Sequence, residues 1–288
     1  MDITKINDKD TLYTFYGIGD YVDFAESNTY WNRGSSSHST SRDSTSFAGG
    51  SYNEALKQAA KGNPELVKEF YDKVDVINAM IDGEGDAYSR DVTGEFFDTG
   101  DFLSGEPECW WKNDSVYGAR KVVPVYANIS MCAGVSNSVI RNRGCAIVAL
   151  CDMLQRQRFI VDLNIVMGKE ASWMGGNGRR LFQRVIVHTD PIDLDMVAFI
   201  IGNPLFYRRL QFSVTEIYAE RSHPAGYGTP CEYQLEDIFD SGLSGFYFTS
   251  SNHSTFSSDK YRTPERAKDH VLSMIEEFKQ NEKQVIFG

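Results

Sequence analysis

The sequence predicts an α/β fold: a mostly parallel sheet with one antiparallel edge hairpin, preceded by an acidic α+β N-terminal region. Three observations lead there. Val122 to Ser130, VVPVYANIS, is a nearly unbroken apolar run, the pattern of a strand covered on both faces. In Asn137 to Arg156, Ile140, Ile147, Leu150, Cys151 and Leu154 recur with the 3.6-residue period of an amphipathic helix. RFIVDLNIVM and LFQRVIVHT then read as two strands joined only by a glycine-rich link (Gly175, Gly176, Gly178), which suits an antiparallel hairpin rather than a helical crossover.

The remaining elements follow in chain order. TLYTFYG, the turn at Gly17-Ile18-Gly19 and DYVDF read as an N-terminal hairpin. Residues 34–47 form a Ser-rich loop without periodicity. Ser51 caps YNEALKQAAKG, with Glu54 completing a capping box and Gly62 ending the helix. Asn63-Pro64 open a second helix, with Leu66, Phe70, Val74 and Ile77 on one face. Beyond the hairpin, Asp190-Pro191 start a helix over PIDLDMVAFII, and Asn203-Pro204 repeat that device for PLFYRRLQF. SVTEIYAE and GFYFTS read as strands. Thr263-Pro264 open a last helix with Val271, Ile275 and Phe278 inward. Trp110 and Trp111, beside Cys109, supply enough apolar area to anchor the two regions to each other.

Charge divides the chain. The net charge is -11, yet the residues up to Ser115 carry a balance of -12 and the remainder +1. We therefore expect two regions, 1–118 and 119–288. An acidic protein repels phosphate backbones, which disfavours nucleic acid as a general partner. No apolar run approaches the ~18 residues of a membrane span, and the polar N-terminus has no targeting pattern. The five cysteines are scattered without C-x-x-C spacing, as expected of reduced, buried thiols.

Several constellations invite chemistry. Asp82, Glu84, Asp86 and Asp91 suggest a calcium loop, but the sixth and twelfth positions are Ala87 and Thr93, so a solvated acidic loop is the better reading. Gly175-Gly176-Asn177-Gly178 lacks the Lys-Ser/Thr of a phosphate loop. Ser130 and Cys132 are positioned as nucleophiles, with His188 at the end of another strand, but G-x-S-x-G is absent and nothing pairs them. Arg208 and Arg209, among Phe206, Tyr207 and Phe212, form a candidate basic patch with Arg179 and Arg180, although helical spacing alone accounts for the aromatics.

The order strand, loop, long helix, strand, antiparallel strand resembles a von Willebrand factor A-type domain, with Asn128-Ile129-Ser130-Met131-Cys132 at the place of that family's D-x-S-x-S loop. The resemblance implies a divalent-cation site of the magnesium type. Ser130 matches the family pattern, Asn128 and Cys132 do not, and Thr189 and Asp190 are the weak candidates for its later oxygens. A hard cation wants oxygen ligands, so this site is degenerate and we expect no bound cofactor. The chain as a whole resembles proteins of tailed bacteriophages, on FAGGSYNEALKQAAKG, GEPECW, NRGCAIVALCDMLQRQRFIVDL and NPLFYRRLQF, which implies a viral origin and no particular activity.

These readings converge on a non-enzymatic phage accessory protein of the host cytoplasm that binds a phage or host protein. Its face would be the crevice at the C-terminal end of the Val122 strand, lined by Asn128, Ser130, Gly134, Ser136 and Ser138, where open α/β sheets place ligands. The alternatives are a nucleic-acid-linked factor in replication or transcription, and an enzyme acting on a nucleotide or phosphoester at the helix N-terminus. No feature of the sequence fixes an oligomeric state.

Overall fold

A computed structural model describes residues 1–27, 45–62, 65, 66, 68, 69, 72, 88–94, 96–113, 122–131, 134–157, 159–171, 179–187, 193–218, 238–239, 245–249 and 260–287. In chain order the strands are β1 (Asp2–Lys5), β2 (Asp10–Phe15), β3 (Tyr88–Asp91), β4 (Phe96–Phe97), β5 (Trp110–Asn113), β6 (Val122–Asn128), β7 (Ile160–Ala171), β8 (Arg179–Val187) and β9 (Phe246–Phe248). The helices are α1 (Ile18–Ser27), α2 (Thr45–Ala48), α3 (Tyr52–Lys61), α4 (Thr99–Ser104), α5 (Asn137–Arg156), α6 (Leu194–Gly202), α7 (Phe212–Tyr218) and α8 (Pro264–Phe287), with a π-helical segment over Phe206–Gln211.

Among the described residues, the main sheet has six strands in the order β1-β2-β8-β7-β6-β9. Its β2–β8, β7–β6 and β6–β9 pairs are parallel, and its β1–β2 and β8–β7 pairs antiparallel. The mixed α/β class and the hairpin of β7 and β8 are as the sequence predicts. β2 and β1 extend the sheet beyond that hairpin, so the sheet runs across the 118/119 boundary. A second, three-stranded sheet, β3-β5-β4, carries Trp110 and Trp111 on its central strand. Both tryptophans are half-buried, Cys109 is buried, and the Arg90 guanidinium stacks 5.0 Å over the Trp111 ring.

Alternation along the strands separates two faces. Tyr13 and Phe15, Val123, Val125 and Ala127, Leu163 and Ile165, Val185 and Val187, and Phe246 and Phe248 join one cluster with the buried residues of α1, α3, α5, α6, the π segment and α8. The opposite face carries a smaller cluster of Leu12, Tyr126, Val166, Phe182 and Ile238, with Phe239 and Tyr247 packed against it. Among the described residues, the helices of the main core all lie on the first face.

α5 is the centre of that core. It spans the residues its period predicts, is capped by Ser136, and buries Cys145 to Cys151 without interruption. Burial pushes the Cys151 thiol up to about 12, and Cys109, Cys145 and Cys151 are all buried and outside any disulfide, as packing groups are. The Ser51/Glu54 capping box on α3 is formed, and Gly62, at φ 72°, ends that helix. Asn203 accepts from the Leu205 amide at 3.0 Å and starts the helical run into the π segment. Leu66 is buried; Phe70, Val74 and Ile77 lie outside the described residues.

Three expectations need correction. DYVDF is not a strand but part of α1: Ile18, Tyr21, Val22 and Ala25 follow helical spacing, and the hairpin is made instead by β1 with β2. SVTEIYAE does not form a strand; its first six residues continue from the π segment as α7, where the Thr215 hydroxyl donates to the Gln211 carbonyl one turn back at 3.0 Å. Tertiary packing here overrides the β preference of the buried Val214 and Thr215. Finally, α6 starts at Leu194, capped by Asp193, which accepts from the Met196 amide at 3.0 Å; Asp190, expected as the cap, lies outside the described residues. Of the Ser-rich stretch, Thr45 to Phe47 belong to α2, and 34–44 lie outside the described residues.

Candidate partner-binding face

The crevice expected beyond β6 separates into a buried floor and an exposed rim. Asn128 is 2% exposed and Ser130 1%. The Asn128 side-chain oxygen accepts from the Ser130 amide at 3.0 Å, which folds the chain back as it leaves the strand. The Ser130 hydroxyl accepts from the Gly168 amide at 3.1 Å and donates to the Gly168 carbonyl at 3.4 Å, extending the β6–β7 pairing past the last strand residue. Both side chains therefore tie backbone together.

Beneath them lies Arg143, a residue the sequence reading left unremarked. It is buried on α5, and its guanidinium donates to the carbonyls of Asn128 and, at 3.1 and 2.9 Å, of Phe248 and Thr249. Its neighbour Asn142 donates to the Tyr261 carbonyl at 3.0 Å. One turn of α5 thus fastens the ends of β6 and β9 and the approach to α8. The available signal was an Asn-Arg pair inside an apolar helix, because buried charges are kept where they satisfy several acceptors.

The rim is Gly134, Ser136, Asn137 and Ser138, all exposed. Ser136 caps α5 through the Val139 amide, and its hydroxyl lies 3.0 Å from that of Ser138. Cys132 lies outside the described residues, as do His188, Thr189, Asp190, Gly175 to Gly178, and Asp82, Glu84 and Asp86. Asp91 ends β3. In the described part of the loop compared with an A-type cation site, the Ser130 hydroxyl is engaged on Gly168 and the Asn128 oxygen on a backbone amide. Among the described residues, no group of three or more His, Cys, Asp or Glu is placed to hold a metal ion.

The candidate basic patch is not a surface. Arg208 and Arg209 are 4% and 1% exposed. Arg208 donates to the carbonyls of Phe47 at 2.6 Å and Val135 at 3.3 Å, and stacks 4.2 Å over the Phe47 ring. Arg209 donates to the Gly50 carbonyl at 2.9 Å. Burial lowers both pKa values, with Glu216 and Glu54 opposing it at Arg209. The arginines do reach the N-terminal region, but through its carbonyls. Arg180 forms a two-point pair with the buried Asp10, at 3.0 and 2.7 Å, and Arg179 begins β8. None of these three guanidiniums is displayed for a phosphate chain.

A family model described as a domain of unknown function, DUF7192, matches residues 3–282. The chain belongs to this family. The DUF7192 match covers the acidic N-terminal region and the α5-centred part together, as the shared sheet does. Comparison with curated proteins and with solved structures found no match. Among the described residues, no helix is long and apolar enough to cross a membrane.

Proposed function

We propose that this chain is a non-enzymatic accessory protein of a tailed bacteriophage, which holds a phage or host protein in the host cytoplasm on the rim before α5. The observation that carries this reading is the contrast between rim and floor. Gly134, Ser136, Asn137 and Ser138 present an uncharged, hydrogen-bonding surface. The polar groups beneath, Asn128, Ser130 and Arg143, are engaged on backbone. A face so held is rigid before it meets a partner, which lowers the ordering cost of association. The sequence β6, loop, α5, β7, antiparallel β8 supports the A-type likeness, since that is the order by which those domains are recognised.

The test is affinity capture from infected cells with the wild type and with Gly134→Trp and Ser138→Arg, both required to melt like the wild type. A partner enriched by the wild type and missing from both variants is the expected result. An identical set of captured proteins in all three disposes of the rim as a docking face.

One observation favours a second reading, an enzyme acting on a nucleotide or phosphoester. The Ser136 and Ser138 hydroxyls stand at the N-terminus of a 20-residue helix, where anions are stabilised. Under that reading inorganic phosphate raises the melting temperature of the wild type and not of Ser138→Ala.

A further inference from the structure

Two consecutive arginines of the π segment clasp one corner of the N-terminal region. Arg209 donates to the Gly50 carbonyl at 2.9 Å, and one Nη of Arg208 donates to the Phe47 carbonyl at 2.6 Å. The Arg208 guanidinium also stacks over the half-buried Phe47 ring, 4.2 Å from its centre. This corner, between α2 and α3, sits close on the start of the helical run. A Cβ on Gly50 would meet the Glu54 carboxylate at 2.8 Å and Leu205 at 3.1 Å, and one on Gly49, at φ 82°, would meet Pro204 at 3.5 Å. Contact on this side therefore fixes the seat of Phe47.

The second Nη of Arg208 donates to the Val135 carbonyl at 3.3 Å, the longer of the two bonds. Val135 is buried and immediately precedes Ser136, the cap of α5. Its carbonyl and the Ser136 amide belong to one planar peptide, so the group that holds that carbonyl also orients the backbone of Ser136. Ser136 in turn accepts from the Val139 amide through its hydroxyl, at 3.4 Å, and from the Ile140 amide through its carbonyl, at 3.2 Å. A guanidinium is a rigid plane, so its two Nη groups turn together. One buried side chain thus joins Phe47 to the rim.

We infer that Arg208 is a positioning residue for the rim and makes the α2–α3 corner the control point of that face: a shift of Phe47 turns the guanidinium, and the turn re-aims Ser136. The consequence for docking rests on the reading of the rim proposed above; the mechanical coupling does not. Coupling between two places needs a physical element that both of them touch, and the Arg208 side chain is that element. A lysine ammonium is a single point of charge and would not hold two carbonyls in a fixed relation, which is why the fork matters here.

The test is amide hydrogen exchange of the full chain, read at Val139 and Ile140, with the α6 and β7 amides as internal reference. Phe47→Leu keeps an apolar side chain but removes the ring face. It should speed exchange at Val139 and Ile140 about tenfold, the worth of one such stacking contact, and leave the reference amides unchanged. Phe47→Tyr, which keeps a ring face for the guanidinium, should exchange at the wild-type rate at both amides. In an Arg208→Lys background, where the two-carbonyl bridge is gone, Phe47→Leu should add nothing further at the rim. If Arg208→Lys does not fold, the leucine and tyrosine variants decide. Unchanged rim amides in Phe47→Leu, equal acceleration in Phe47→Tyr, or full additivity with Arg208→Lys overturns the coupling. These rates do not depend on whether any protein docks on the rim, so the two readings fail separately.

Discussion

Arg143 illustrates how much of this fold rests on single side chains. Three carbonyls from two strand ends converge on one guanidinium, and removing it leaves buried acceptors with too few donors. Arg143→Leu should lower unfolding stability by about 3 kcal/mol, measured by urea denaturation, the range for breaking a buried charged contact. His270 gives a pH signature. It packs edge-on 5.6 Å from the Tyr261 ring, and burial, then Lys260 and Arg143, hold its pKa down to about 4. Its unfolded value is near 6.5. Above that pH neither state is charged at this residue. As pH falls from 6.5 to 4 the unfolded chain takes up a proton that the folded chain refuses, so stability drops across that window. His270→Gln should flatten that part of the stability curve. Asp10, held below the usual carboxylate range chiefly by its bond to Arg180, contributes only at lower pH, where its protonation favours unfolding.

At the scale of elements, caps and close approaches set the boundaries. Ser51 and Glu54 satisfy each other's backbone at the start of α3, and Ser51→Ala should cost about 1 kcal/mol. Gly245, where β9 begins, leaves no room for a side chain: an added Cβ would meet the Pro124 carbonyl oxygen, with Pro124 Cγ at 2.7 Å. Gly245→Ala should cost about 2 kcal/mol by overpacking and weaken protection of the β6–β9 amides from hydrogen exchange. α5, β6, β7 and β8 were legible because their periods are long and unmixed. α1 was obscured because DYVDF alternates like a strand over five residues, and only the longer spacing of Ile18, Tyr21 and Ala25 reveals the helix. α7 was obscured by β-branched residues whose conformation is set by what they pack on. Asn128 and Ser130 could be placed at the end of a strand from sequence, but which backbone atoms their oxygens meet depends on Gly168, 38 residues beyond Ser130. Asn164 and Arg184 were visible as polar interruptions in apolar strands, yet their shared face depends on the register of β7 with β8.

The whole molecule is built across the boundary that its charge distribution marks. Phe15, Tyr21 and Tyr52, from the acidic region, are buried in one cluster with Val125, Phe206 and Val271. Tyr21 donates to Gln183 on β8 at 2.7 Å, Arg180 holds Asp10, and Arg208 holds Phe47. A fragment starting at residue 119 would expose the apolar side of β8 and of the π segment to water. It should show no cooperative thermal transition, whereas the full chain should unfold its β2, β7 and α5 amides together in hydrogen exchange.

β1 has a consequence of its own. All four of its residues are exposed, and Asp2 and Lys5 stand at its two ends. A stranger's backbone approaching this margin finds only a short ledge, guarded by opposite charges that prefer to stay hydrated. At this edge the layer therefore stops instead of growing into fibrils, and neutralising both guards, as in Asp2→Val with Lys5→Val, is where clumping would begin.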